Sequence, residues 1–146
     1  MSYIEVDVNG KALFNHERHR ISVLRCCEEW CSPDKKIERR TREYYSLHFI
    51  IGGKGTLVYE VNGQRQEVVL QKGDSFLLCA GEKYEYRPDP ERSWGYDWID
   101  FTGDNAEDLF SICGYDKERP FVHSRHFDRF RALLGDMIEA YDASEV

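Results

Sequence analysis

Long apolar runs are missing from this sequence, and so is an export signal. Met1 to Val8 alternates too much and is too short for a signal peptide or a membrane span. The expected compartment is therefore the cytoplasm, with no membrane partner. Cations are in deficit: 20 Lys and Arg stand against 27 Asp and Glu, a net charge of −7. A segment with that balance does not grip nucleic acid by itself, because phosphate binding is dominated by Lys and Arg. The basic run Lys35 to Arg42 does not change this. Glu38 and Glu43 interrupt it, and no aromatics interleave for stacking; a solvated loop is expected for Lys35, Lys36 and Arg39. Paired cysteines are lacking too. The five are odd in number, and Cys26-Cys27-x3-Cys31 has neither the C-x2-C pairs nor the histidine partners of a zinc site. Free thiols are expected. No Ser or Cys sits in a recognisable nucleophile elbow beside a base.

What is present is a folded composition, 41% hydrophobic and 14% aromatic over 146 residues, enough for one domain with a proper core. The organising stretch runs from Tyr44 to Phe101. In Tyr44 to Ile51, the odd positions Tyr45, Leu47, Phe49 and Ile51 are apolar. The even positions Arg42, Tyr44, Ser46 and His48 are polar or amphipathic. Period-two alternation predicts a strand with one face in packed core and one on a wetter side, which in a small barrel can be an internal cavity. Gly52 to Gly55 turns into a strand from Thr56 to Val61, and Asn62-Gly63 supplies the two φ > 0 residues of a tight hairpin. Further strands are expected at Arg65–Leu70, Ser75–Cys79, Lys83–Tyr86 and Trp94–Phe101, with turns between them. Such closely spaced strands form an antiparallel sandwich or barrel.

The spacing resembles that of the cupin β-barrel family. Its second motif, G-x5-P-x-G-x2-H-x3-N, falls on Gly73, Cys79, Ala80, Gly81 and Tyr84, so both glycines match, but a cysteine replaces the proline and a tyrosine the metal-binding histidine. In its first motif, anchored on Gly53, Arg40 and Arg42 occupy the histidine slots and Ser46 the glutamate slot. Arginine cannot become a metal ligand, so no metal and no cofactor are expected. A narrower resemblance is carried by Arg42-x-x-Tyr45-x-Leu47-His48-Phe49-x-x-Gly52-x-x-Gly55, by Leu70-x-x-Gly73-Asp74, by Tyr86, and by Trp94-x-Tyr96-x-Trp98-Ile99-x-Phe101-x-Gly103. This pattern looks like the N-terminal effector-binding and dimerisation domain of AraC-type transcription regulators. The resemblance implies a mainly β fold, a cupin-like antiparallel jelly-roll barrel followed by C-terminal helices. It also implies a small-molecule effector, often a sugar, no catalysis, and DNA binding only through a separate helix-turn-helix domain. The other reading is a metal-dependent cupin enzyme, an oxygenase or isomerase, which the residues in the metal slots disfavour.

Residues 1–103 are accordingly expected to form the barrel with an N-terminal arm that could cover the effector. Residues 104–146 are expected to be a helical segment, cut before the DNA-binding domain. Before the barrel, Tyr3–Val8 and Ile21–Cys27 read as strands, with His16 and His19 in a polar stretch between them. Asp104 is a plausible N-cap for a helix that Gly114 stops; Tyr115 to Val122 reads as a linker. From Ser124 the period is helical, with a stripe of Phe127, Phe130, Leu134, Met137, Ile138 and Tyr141. Part of that stripe is expected to pack on the barrel, and the family resemblance adds homodimerisation. For the effector, shared parity groups Arg42 with Ser46 and His48, Tyr84 with Tyr86, and Trp98 with Tyr96. A guanidinium can hydrogen-bond hydroxyls, and aromatic plates suit the C–H face of a sugar. With the resemblance, Arg42, Tyr86, Tyr96, Trp98, Tyr84 and His48 are the expected ligand-binding residues. His48 also reads as a satisfied interior histidine, and Trp94 as core.

Overall fold

The alternation that begins at Tyr45 resolves into a strand with both faces covered. The computed structural model describes residues 5–6, 12–13, 21–35, 38–104, 106–123 and 126–144; at 5–6, 12–13, 38–40, 109, 141, 143 and 144 only the backbone is described. The elements in chain order are β1 (Glu5–Val6), β2 (Ala12–Leu13), β3 (Ile21–Trp30), β4 (Glu38–Arg40), β5 (Tyr45–Gly52), β6 (Lys54–Val61) and β7 (Gln64–Gln71). They continue with β8 (Asp74–Leu78), β9 (Tyr84–Pro88), β10 (Gly95–Gly103), α1 (Ala106–Ile112), β11 (Phe121–His123) and α2 (Phe127–Ser144). Among the described residues, β11-β8-β5-β10-β3 form one antiparallel sheet and β4-β9-β6-β7 a second, while β1 pairs with β2. This is an antiparallel barrel, as the strand spacing predicts, with the cupin-like form and the following helices that the family resemblance implies.

The turn chemistry acts where the sequence places it. Asn62 and Gly63 have φ of 51° and 76°, closing the β6–β7 hairpin with Val61 opposite Gln64. Gly55 lets the chain lie against Trp94, since a Cβ there would sit 2.4 Å from the indole ring.

On β5 the even residues Ser46, His48 and Ile50 face the barrel interior. There His48 stacks on Phe76 of β8 and meets Tyr86 of the opposite sheet at 5.3 Å. The odd residues face outward but are not wet. Phe49 is 2% exposed because Phe127 and Phe130 of α2 stack on it at 5.5 and 5.7 Å. Phe101 of β10 is covered by Tyr45 and by Phe110 of α1. One end of the barrel is plugged by Ile50, Phe76, Trp94 and Tyr96, each below 2% exposure. Toward the other end, at Ser46 and Asp100, the interior is polar.

Three readings change. Part of the basic run is strand: β4 pairs with β9, Arg40 opposite Tyr84, and Lys35 is held by Glu29 at 2.8 Å rather than solvated; Lys36 lies outside the described residues. The stretch read as a linker contains β11, which pairs with β8, Phe121 opposite Phe76. The strand at Ile21 runs on to Trp30 because β10 pairs with it along its whole length. The histidines at 16 and 19 and most of the N-terminal arm lie outside the described residues. No described helix is long and apolar enough to cross a membrane.

Candidate functional site

Three adjacent strands and one from the facing sheet converge at the open end. In the β5–β10 ladder His48 lies opposite Trp98 and Ser46 opposite Asp100. In the β10–β3 ladder Trp98 lies opposite Cys27 and Asp100 opposite Arg25. The period of two therefore turns Arg25, Ser46, His48, Trp98 and Asp100 to one side, and β9 brings Tyr86 across from the second sheet. Arg42 and Tyr44, just before β5, and Lys35 and Glu29 at the end of β3 complete the rim. Together they enclose a cavity of about 250 Å³.

Its electrostatics centre on Asp100, whose side chain is 2% exposed. Asp100 Oδ2 accepts from Arg25 Nε at 2.8 Å and lies 3.5 Å from Arg42 Nη1. The bond to Asp100 is also what holds the Arg25 pKa above its ordinary value. Both guanidinium carbons lie 5.2 Å from the centre of the Tyr44 ring, so two like charges share one aromatic plate and one carboxylate. Ser46 Oγ lies 3.5 Å from His48 Nδ1. Asp100 Oδ1 is buried and has no hydrogen-bond partner among the described residues.

Of the residues expected from the sequence to bind a ligand, Arg42, His48, Tyr86 and Trp98 line this one cavity. Tyr96 does not; it stands behind His48, ring edge to face at 4.8 Å, in the packed end. Tyr84 does not either. It is 4% exposed and its hydroxyl accepts from the Cys79 backbone N–H at 3.2 Å, and burial pushes its pKa far above the ordinary tyrosine value. Arg25, Lys35 and Asp100 were missed as site residues. Asp100 carries a legible signal, its shared parity with Trp98, whereas Arg25 is placed by the long-range pairing of β3 with β10 and Lys35 by the turn after β3, where Glu29 holds it.

The stripe on α2 divides likewise. Leu134 is 6% exposed, Phe127 and Ile138 are half-buried against the core, and Phe130 stacks on Phe49 while remaining 44% exposed. Met137 is largely exposed and its carbonyl accepts from Cys26 Sγ at 3.6 Å. The Tyr141 side chain lies outside the described residues.

A cupin metal centre needs clustered imidazole and carboxylate ligands. Here His48 is stacked on Phe76, Asp100 is held by two arginines and Glu29 by Lys35. No group of three or more His, Cys, Asp or Glu among the described residues is placed to hold an ion. These residues do not fit a metal. The cysteines do not converge either: Cys26 is buried under α2 while Cys27, its neighbour, is exposed, and all five are free thiols.

The family model described as "AraC-like ligand binding domain" matches residues 22–146. The chain belongs to this family. The Msm operon regulatory protein of Streptococcus mutans is 32% identical to this AraC-like domain over 137 residues, covering 94% of the chain and 45% of the regulator. The lactose operon transcription activator of Staphylococcus xylosus is 34% identical over 67 residues, 46% of the chain and 23% of that protein. The chain thus spans less than half the length of the curated relatives it matches. Among solved structures, the Lactobacillus farciminis oxalate decarboxylase formate complex aligns with a TM-score of 0.45 at 8% identity, over 84% of this chain and 44% of that one.

Proposed function

We propose that this AraC-like domain binds a sugar in the cavity between Arg42, Tyr86 and Trp98, and that a DNA-binding part beyond residues 1–146 reads out its occupancy. One observation carries the reading: an indole, a phenol, an imidazole and a guanidinium line a single interior cavity with one open end. A pyranose is apolar on its faces and polar at its rim, so it needs that combination. The name of the staphylococcal relative, which specifies a lactose operon, supports a sugar. The domain acts by binding and does no chemistry; the absence of a metal-ligand cluster from the cavity lining favours this over a metal cupin enzyme.

Homodimerisation belongs to the same proposal. Among the described residues, the apolar surface that α2 leaves uncovered is Phe130, Leu133 and Met137, at 44%, 58% and 39% exposure, and this row is the dimerising face. Leu133 replaces the buried Leu134 of the sequence-derived stripe.

A thermal-shift screen against sugars identifies the ligand, because one that binds only the folded state raises the melting temperature. Calorimetry on folded Arg42→Ala and Trp98→Ala variants then tests the site. Each substitution is expected to weaken binding by about 1–3 kcal/mol, since it leaves a buried polar group or ring face without its partner. Unchanged affinity in both places the effector elsewhere.

A further inference from the structure

We infer that the effector carries an oxyanion, a carboxylate or a phosphate, and that Arg42 is the residue that selects for it. The inference rests on the cavity being the effector site and adds the ligand's charge to that reading. Five charged side chains line the cavity: the cations Arg25, Lys35 and Arg42, and the carboxylates Glu29 and Asp100. Four of them form two hydrogen-bonded pairs. Lys35 Nζ donates to Glu29 Oε1 at 2.8 Å, and Arg25 Nε donates to Asp100 Oδ2 at 2.8 Å. Arg42 is left over. Its Nη1 stands 3.5 Å from the Asp100 oxygen that Arg25 already holds, and its guanidinium makes no hydrogen bond within the described residues. Arginine cannot shed its proton to relieve this. One carboxylate between two guanidiniums therefore leaves a whole positive charge at the cavity, in a chain whose net charge is −7.

Burial decides which sign a ligand meets. The Asp100 side chain is 2% exposed and that of Arg42 17%, so the anion of the cluster is sealed in and the cation is the accessible member. The Tyr44 ring lies 5.2 Å from both guanidinium carbons. A ring face attracts their charge but supplies no oxygen acceptors in the guanidinium plane, where the N–H groups point. A guanidinium presents five such donors in a flat fork. A carboxylate or phosphate engages two of them at once and cancels the charge. A sugar hydroxyl accepts a single bond and cancels nothing. Trp98 and Tyr86, on the same cavity wall, remain to take the apolar face of the ring. The ligand that uses every part of this lining is a sugar acid or a sugar phosphate, with its ring on the aromatics and its anionic group at Arg42.

The test compares each neutral sugar with its own anionic derivatives: galactose with galacturonic acid and a galactose phosphate, glucose with glucuronic acid and a glucose phosphate, and lactose as a further neutral member. Melting temperature and calorimetry are measured on the wild-type chain and on three variants. Arg42→Gln keeps a donor without the charge, Arg42→Lys keeps the charge without the fork, and Trp98→Ala removes the ring. The expected result is that one acid or phosphate binds the wild type at least about tenfold more tightly than its neutral parent, the margin of a charge-assisted, two-point contact. Whether the acid or the phosphate does so tells the two sources of the oxyanion apart. In Arg42→Gln the advantage over the neutral parent disappears, and Arg42→Lys recovers part of it. A neutral sugar that binds the wild type as tightly as its anionic derivatives overturns the inference, and so does a panel in which no anionic member binds. Both results are read on the wild type, so neither depends on how the variants fold. A ligand that loses affinity in Trp98→Ala but shows no preference for the anion removes the inference and keeps the cavity as the sugar site. A ligand indifferent to Trp98→Ala and Arg42→Gln alike removes both.

Discussion

Trp94 and Trp98 lie on the same stretch and do different work. Trp98 lines the cavity. Trp94 is 1% exposed, with its ring against Phe76 at 5.7 Å and directly over the backbone of Gly55. A methyl group at Gly55 has nowhere to go, since the obstructing atoms belong to a rigid, buried ring. Gly55→Ala is expected to cost about 1–3 kcal/mol of stability through overpacking. Trp94→Phe in the same chain should recover part of that loss by making room. Urea unfolding of the two single variants and the double variant checks this; simple additivity of the two costs contradicts it.

At the same scale, the sequence showed which side chains share a face but not how far along the barrel each one sits. Tyr84 and Tyr86 share parity on β9, yet only Tyr86 is level with His48, while Tyr84 is level with Cys79. Tyr96 and Trp98 divide for the same reason. The Arg25–Asp100 pair joins residues 75 apart in sequence, and a single sequence carries no local pattern for such a contact.

The long elements were legible because their patterns repeat: the alternation of β5, the Asn-Gly hairpin between β6 and β7, and the apolar period of α2. The two short edge strands, β4 and β11, have three residues each. Their identity comes from the neighbours they pair with, since strand preference depends on context more than helix preference does.

The contact between α2 and the sheet also contains a polar cost. Asp97 of β10 faces outward beneath α2, 3% exposed, across the ladder from Glu28, which Arg131 of α2 reaches at 3.0 Å. Burial pushes the Asp97 carboxyl above its ordinary value and Glu28 adds to this, while Arg131 opposes it. The folded state therefore holds the Asp97 proton more tightly than the unfolded chain does. The associated stability is fully present below the ordinary carboxylate pKa and is lost as pH rises through the raised one. Asp97→Asn, which cannot ionise, should raise the melting temperature at neutral pH. Its advantage should shrink toward zero as the pH falls below the ordinary carboxylate range. Thermal unfolding as a function of pH measures this, and an advantage that grows in acid reverses the assignment.

At the scale of the whole molecule, the described residues form a barrel with one plugged end and one open end. Helices cover the outer face of the larger sheet. A protein that includes this chain and the remainder found in its longer relatives is expected to sediment as a dimer at micromolar concentration. Leu133→Glu with Met137→Glu should shift it toward monomer without changing the melting temperature of the 146-residue domain, because both side chains are already exposed. A full-length protein that sediments only as monomer removes the dimer proposal.

The β3–β10 ladder also has a kinetic consequence. As the chain leaves the ribosome, β3 emerges early and must wait for β10, whose residues pair with it across most of the domain. Until then β3 presents bare edges, and β5 lacks one of its two neighbours. Topologies dominated by such distant pairings fold slowly and expose strand edges while they do so. Arg25 arrives with the first of these strands and Trp98 and Asp100 with the last, so the cavity is among the final parts of the molecule to exist.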